Sequence, residues 1–170
     1  KTGTTVKKKV KSLEDMLVSG VAIDNNQVRI SVTDLPDRPG AAAAVFKVMS
    51  ETGVVVDMIV QNVARNGKAN LTFTVPSEDA FRAEKALKEQ FANGGGGKLG
   101  RSTKIAKISV VGVGMRSHSG VASKFFEALA EVGVNMLMIS TSEIKISVAV
   151  NPDDGEMATR VAHSAFGLGK

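Results

Sequence analysis

Residues 28–75 of the chain return, in order and with similar side chains, as residues 106–150. Val28-Arg29-Ile30-Ser31-Val32 is answered by Ala106-Lys107-Ile108-Ser109-Val110, and Gly53-Val54-Val55-Val56-Asp57-Met58-Ile59 by Gly133-Val134-Asn135-Met136-Leu137-Met138-Ile139. Gly40–Phe46 recurs at Gly120–Phe126, and Thr72–Val75 at Ser147–Val150. The offset drifts from 78 to 80 to 75, so insertions fall between elements and spare their interiors. A chain of 170 residues built this way must make one small unit twice. Duplicated small domains more often sense or pair than catalyse.

Hydrophobic residues make up 43% of the chain, with seven Phe and no Trp or Tyr, which suits thin packing of helices on a sheet. The absence of Cys excludes disulfides, thiolate metal sites and cysteine nucleophiles. The net charge of +5 gathers partly in Lys7-Lys8-Lys9 and Lys11, read as a solvated tail in preference to a nucleic-acid or membrane contact. No apolar run reaches the ~18 residues that a membrane span needs, and no apolar signal core opens the chain. The expectations are therefore a cytoplasmic protein with no membrane or nucleic-acid partner. The first residue, Lys1, is what a piece of something longer would show.

Periodicity predicts a strand at Val18–Ile23, a turn at Asp24-Asn25-Asn26 and a half-buried strand at Gln27–Leu35. A loop with two prolines leads to a helix stopped by Gly53. A strand over Val54–Val63, a hairpin turn at Asn66-Gly67 and a strand at Leu71–Val75 follow. Ser77 is expected to cap a helix running to Phe91. Gly94-Gly95-Gly96-Gly97 reads as a flexible break; it lacks the Lys-Ser/Thr of a phosphate-binding loop. The second copy reads as a strand at Ile105–Val113, a helix at Gly120–Glu131, strands at Asn135–Thr141 and Ile144–Val150, and a helix from Asp153 to Phe166. The fold class is α+β: two ferredoxin-like βαββαβ units with antiparallel sheets and helices on one face. The spare strand Val18–Ile23 is the donor that completes the second unit. That predicts a basic tail at 1–16, a first domain at 25–104, and a second domain made of 17–24 plus 105–170 into which the first is inserted. Exposed sheet edges then call for pairing between copies.

The loop-to-helix junctions are the best-formed polar sites. Four alanines, Ala41–Ala44, leave the amides of a helix start uncovered, and such amides can hold a carboxylate. Asp37 beside them suits an ammonium, and Gln61 on the adjoining strand can read a side chain. Together these are the needs of a free α-amino acid. The same residues equally suit an ordinary turn acid and close helix packing. At the second junction Ser119 is a candidate cap, with Val121 and Ala122 over the first amides and Asn135, Ser142 and Glu143 behind. His118 reads as a loop histidine, and no metal site is legible. Gly112-Val113-Gly114 lacks the third glycine of a dinucleotide loop, since Ser117 stands there. No catalytic triad and no paired stacking aromatics for RNA are present, so the chain carries no catalytic residues of its own.

Three segments then resemble the regulatory region of aspartate kinase. They are Val56–Val63, Lys107–His118 and Ile139–Val148, and the resemblance spans about residues 17 to 168. It implies tandem ACT domains, modules that bind amino acids. It further implies allosteric feedback by threonine and/or lysine on the phosphorylation of aspartate that opens lysine, threonine and methionine biosynthesis. Other implications are a homodimer through ACT1–ACT2 pairing, and a kinase catalytic domain or α subunit elsewhere that holds ATP and Mg; no cofactor is expected in this chain. Carried over position by position, the first effector site uses Asp37, Ala42, Val54, Val55, Val56 and Gln61. The second uses Val121, Ala122, Asn135, Met136, Ser142 and Glu143. Ala122 and Ala64 depart from the threonine and serine of some relatives, which leaves effector choice open. The alternative is an ACT-type dimerisation module without ligand binding.

Overall fold

The computed structural model describes residues 18–63, 66–113, 115 and 119–168. The basic tail, Ala64 and the Arg116-Ser117-His118 part of the second junction lie outside them. The elements are β1 (Gly20–Pro36), α1 (Ala41–Glu51), β2 (Ile59–Val63), β3 (Lys68–Pro76), α2 (Ala80–Gln90) and β4 (Lys98–Leu99). After these come β5 (Thr103–Val111), α3 (Gly120–Glu131), β6 (Met138–Thr141), β7 (Lys145–Val150) and α4 (Gly155–Ala165). The strands form one antiparallel sheet in the order β2-β3-β1-β5-β7-β6, with β4 also paired to β1.

The turn expected at Asp24-Asn25-Asn26 is not a turn. β1 runs through it as a single strand of 17 residues. Its first half pairs with β5, from Gly20↔Val111 to Asp24↔Lys107; its second half pairs with β3, from Gln27↔Pro76 to Pro36↔Lys68. Between them the β5 register shifts, so the turn-forming residues make a bulge. Asp24 satisfies it locally: one carboxylate oxygen accepts the Asn26 amide and the other accepts Gln27 Nε2, both at 2.9 Å. Turn chemistry is present, but strands on both sides hold the backbone extended. Val32↔Leu99 and Arg29↔Thr103 supply the fourth strand beside β1 that the first repeat needed.

Other boundaries also move. Val54–Met58 is not regular strand, although Asp57 N–H donates to Thr74 O and Thr74 N–H donates to Met58 O. Val54 instead closes α1, its amide donating to Met49 O at 2.9 Å; Val134 does the same for α3 at Leu129 O. β6 begins at Met138 and not Asn135. Ser77 caps nothing: it lies inside a 3₁₀ turn, Ser77–Asp79, with Pro76 at the cap position.

Strand alternation sends Val28, Ile30 and Val32 toward α1 and α2, where Leu71, Phe73, Val45, Met49 and Leu87 close a buried core. Phe46 meets Phe73 edge-on at 5.6 Å. The second core gathers Ile108, Val110, Val148, Phe125, Leu129 and Phe166 under α3 and α4. A third, smaller cluster of Met58, Ile105, Met138 and Ala149 joins the two repeats. Beside it, Lys107 of β5 forms ion pairs with Asp57, just before β2, and with Asp24 at 3.8 Å. The Lys107 side chain is only 14% exposed, so this charge is held largely out of water between the repeats.

The four-glycine stretch does not behave as a flexible break. Gly94, Gly96 and Gly97 all take left-handed backbone angles, and a Cβ on Gly96 would stand 2.8 Å from Pro36 Cδ. The segment thus packs against the end of β1. Asp34 anchors the same end of the strand, accepting Lys98 Nζ at 2.9 Å and Lys68 Nζ at 3.3 Å. The hydrogen bond from Lys98, followed by that from Lys68, holds the Asp34 carboxyl below its ordinary value.

Three outcomes follow for denaturation experiments. Lys107→Met leaves two carboxylates facing each other and costs on the order of 1–3 kcal/mol, more than Asp57→Asn. Gly96→Ala, strained and in collision with Pro36, costs about 1–3 kcal/mol; Gly94→Ala, with open space around it, costs less. Asp34 carries a depressed folded-state pKa, so its contribution is present above the ordinary carboxylate range and fades as pH falls through the lowered value. Asp34→Asn therefore lowers Tm slightly at neutral pH, and wild-type and variant melts converge in acid.

Candidate functional site

The start of α1 has the geometry expected from its alanines. Gly40 stands at the cap with φ 90°, no side chain caps the helix, and no acid lies in its first turn. The Ala41 and Ala44 amides are used by Arg38 O and Gly40 O. A helix start of this kind presents partial positive charge without an anion of its own. A cavity of about 320 Å³ opens there, lined by Pro36, Arg38, Pro39, Gly40, Ala41, Ala44 and Gly94.

Around it the predicted first-site residues divide. Asp37 is exposed, its amide donating to Gly67 O at 2.9 Å, and Gln61 is exposed on β2. Ala42 and Val56 are half-buried, while Val55 is 69% exposed. Val54 points into the core at 6% exposure, so only its backbone can meet a ligand. None of these six is among the residues that line the cavity. Arg38 and Gly94, which do, were not anticipated. Arg38 carried no signal beyond its place between two prolines. Gly94 reaches this wall from 54 positions beyond Gly40 in sequence, so only the fold brings it there.

At the second junction α3 starts behind Ser119, whose side chain makes no cap bond, again with no acid in the first turn. Val121 is fully buried under the helix and cannot line a site with its side chain; Ala122 and Met136 are half-buried against the same core. Asn135, Ser142 and Glu143 are exposed on the strand side. The Ser142 amide closes the β6–β7 turn on Lys145 O at 2.7 Å. Among the described residues no group of three or more His, Cys, Asp or Glu stands close enough to hold a metal ion, and no helix is long and apolar enough to cross a membrane.

Both repeats match the ACT domain family, the first over residues 28–95 and the second over residues 108–166. The chain is 44% identical to an aspartokinase of Pseudomonas aeruginosa over 164 residues, covering 96% of this chain and 40% of that protein. It thus spans about two fifths of the length of the curated relatives it matches. In a crystal structure of aspartokinase α and β subunits, one chain is 44% identical with a TM-score of 0.80, covering 88% of this chain and 99% of that one. The ligand-free regulatory subunit of aspartate kinase from Thermus thermophilus is 41% identical with a TM-score of 0.82, over the same shares. Two ACT domains, and likenesses at 44% and 41% identity that cover 99% of each matched subunit, place this chain in the aspartokinase family, as its regulatory ACT-domain region.

Proposed function

We propose that the chain is the amino-acid-sensing part of an aspartokinase, binding threonine and/or lysine to exert feedback on aspartate phosphorylation in lysine, threonine and methionine biosynthesis. The observation that carries this reading is the start of α1: amides with no capping side chain and no nearby acid in the helix, opening on a cavity, with Asp37 alongside. A helix start takes a carboxylate and an exposed aspartate takes an ammonium. Catalysis, ATP and Mg belong to the kinase domain or α subunit that the rest of the relatives' length represents.

The strand pairing supports a first ACT domain at 25–104 inserted into a second made of 17–24 and 105–170. It also leaves β2 and β6 as sheet ends that approach within 8 Å without pairing. Val55, Ile59 and Val63 on one side, and Ile139 and Ile144 on the other, are large apolar side chains left in solvent there. A second copy that pairs ACT1 with ACT2 covers both edges. An effector seated where such edges meet would then favour one arrangement of the dimer over another.

Titration calorimetry with threonine and lysine is the direct test. The expected result is heat and a rise in Tm with at least one of them, and an Asp37→Ala chain of unchanged fold that binds at least tenfold more weakly, about 1.4 kcal/mol. Dimerisation by light scattering with no response to any amino acid would instead select the dimerisation module without a ligand.

A further inference from the structure

We propose that the helix-free face of the sheet at the β1–β5 seam holds a second kind of site, in which Arg29 and Thr103, with Ser102 next in the chain, receive an oxyanion of the phosphate or carboxylate class. The buried polar atoms without a hydrogen-bond partner among the described residues are Gln27 Oε1, Arg29 Nε, Ser102 Oγ and Thr103 Oγ1. They do not scatter over the molecule. All four residues lie where the second half of β1 meets the start of β5, and Arg29 and Thr103 stand directly opposite each other in the register. Native proteins rarely seal such atoms from solvent without a partner, and a group of them in one place marks something that belongs there.

The charge balance says what. Val28, Ile30 and Val32 face the helices, so Gln27 and Arg29 face the other way. On that same side Lys107 has two carboxylates, Asp57 and Asp24. At the bulge near the far end of β1, Lys68 and Lys98 share Asp34. Among the described residues Arg29 has no acid and no acceptor. Its other cross-strand neighbour, Thr74, is fully buried and already accepts the Met58 amide at 3.1 Å. Three of the four orphan atoms are on groups that can donate: one guanidinium N–H and two hydroxyls. An oxyanion accepts all three and neutralises the charge, as water cannot. Gln27, 7% exposed with its amide nitrogen committed to Asp24, leaves an acceptor for an O–H or N–H on the same ligand. Hydrogen phosphate and an acidic side chain of a second copy both bring the required chemistry. The site is separate from the cavity at α1 and does not depend on the amino-acid reading.

The test is the full chain melted in increasing inorganic phosphate against sodium chloride at matched pH and ionic strength, with sedimentation run in parallel. Wild type, Arg29→Met and Thr103→Val are compared. A free oxyanion predicts a saturable rise in Tm for wild type that Arg29→Met abolishes and Thr103→Val reduces, while titrations with threonine and lysine stay the same. A carboxylate from a second copy predicts no phosphate response but self-association at least tenfold weaker in Arg29→Met, with a smaller loss in Thr103→Val. Equal phosphate responses and equal self-association in all three chains overturn the proposal. So does a phosphate shift in wild type that Arg29→Met retains. If Arg29→Met does not fold, Thr103→Val decides on the same criteria.

Discussion

Everything in this molecule hangs on one strand bonded on both edges. β1 gives its first half to β5 and its second half to β3, and for three residues, Gln27 to Arg29, it serves both. A central antiparallel strand cannot slip by one residue without turning its core side chains to solvent. The register of each repeat is therefore fixed relative to the other. The bulge at Asp24–Gln27 lets this happen in a twisting sheet, because the shift re-aims the strand between its two sets of neighbours. Asp24 belongs at that point chemically: it satisfies the bulge and faces Lys107 across the strand pair.

The same continuity explains where polarity collects. Helices cover one face, so the two larger cores go there, and only the small cluster of Met58, Ile105, Met138 and Ala149 forms on the other side. The opposite face of the central strands carries Gln27, Arg29, Thr74, Thr103, Lys107, Ser109 and Ser147. Most of that layer is satisfied within the chain: Ser109 and Ser147 bond at 2.7 Å, Thr74 takes the Met58 amide, and Lys107 bridges two acids. A mostly satisfied polar layer makes the few open positions around Arg29 informative. The uncapped start of α1 is open for a different reason, since alanine and glycine leave backbone groups with nothing of their own to bind.

Much of this was legible in the residues. The repeat, the alternation of Val28, Ile30 and Val32 and the helical spacing of Val45 and Met49 locate the helices, the cores and the course of the strands, while β2 and β6 start later than their apolar runs suggest. The alanine run at the start of α1 was likewise readable as an uncapped helix. What was misread had a common cause. By local preference Asp24-Asn25-Asn26 is a turn and the four glycines a flexible joint. Packing against β5 in one case and against Pro36 in the other overrode that preference. Val54 and Val121, site residues by the resemblance, turn their side chains into the cores, so any contact they make with a ligand is through the backbone.

The sequence by itself determined the two-fold repetition, the identity of the buried faces and the bare amides at the start of α1. These follow from side-chain periodicity and from which residues lack a capping group, both local properties. Only the tertiary structure decided that one strand serves both repeats, that Gly94 walls the α1 cavity, and that Lys107 sits between Asp24 and Asp57 while Arg29 has no acid among the described residues. Those are relations between residues tens of positions apart. Nothing in a local pattern says which charge will find a partner once the chain has closed on itself.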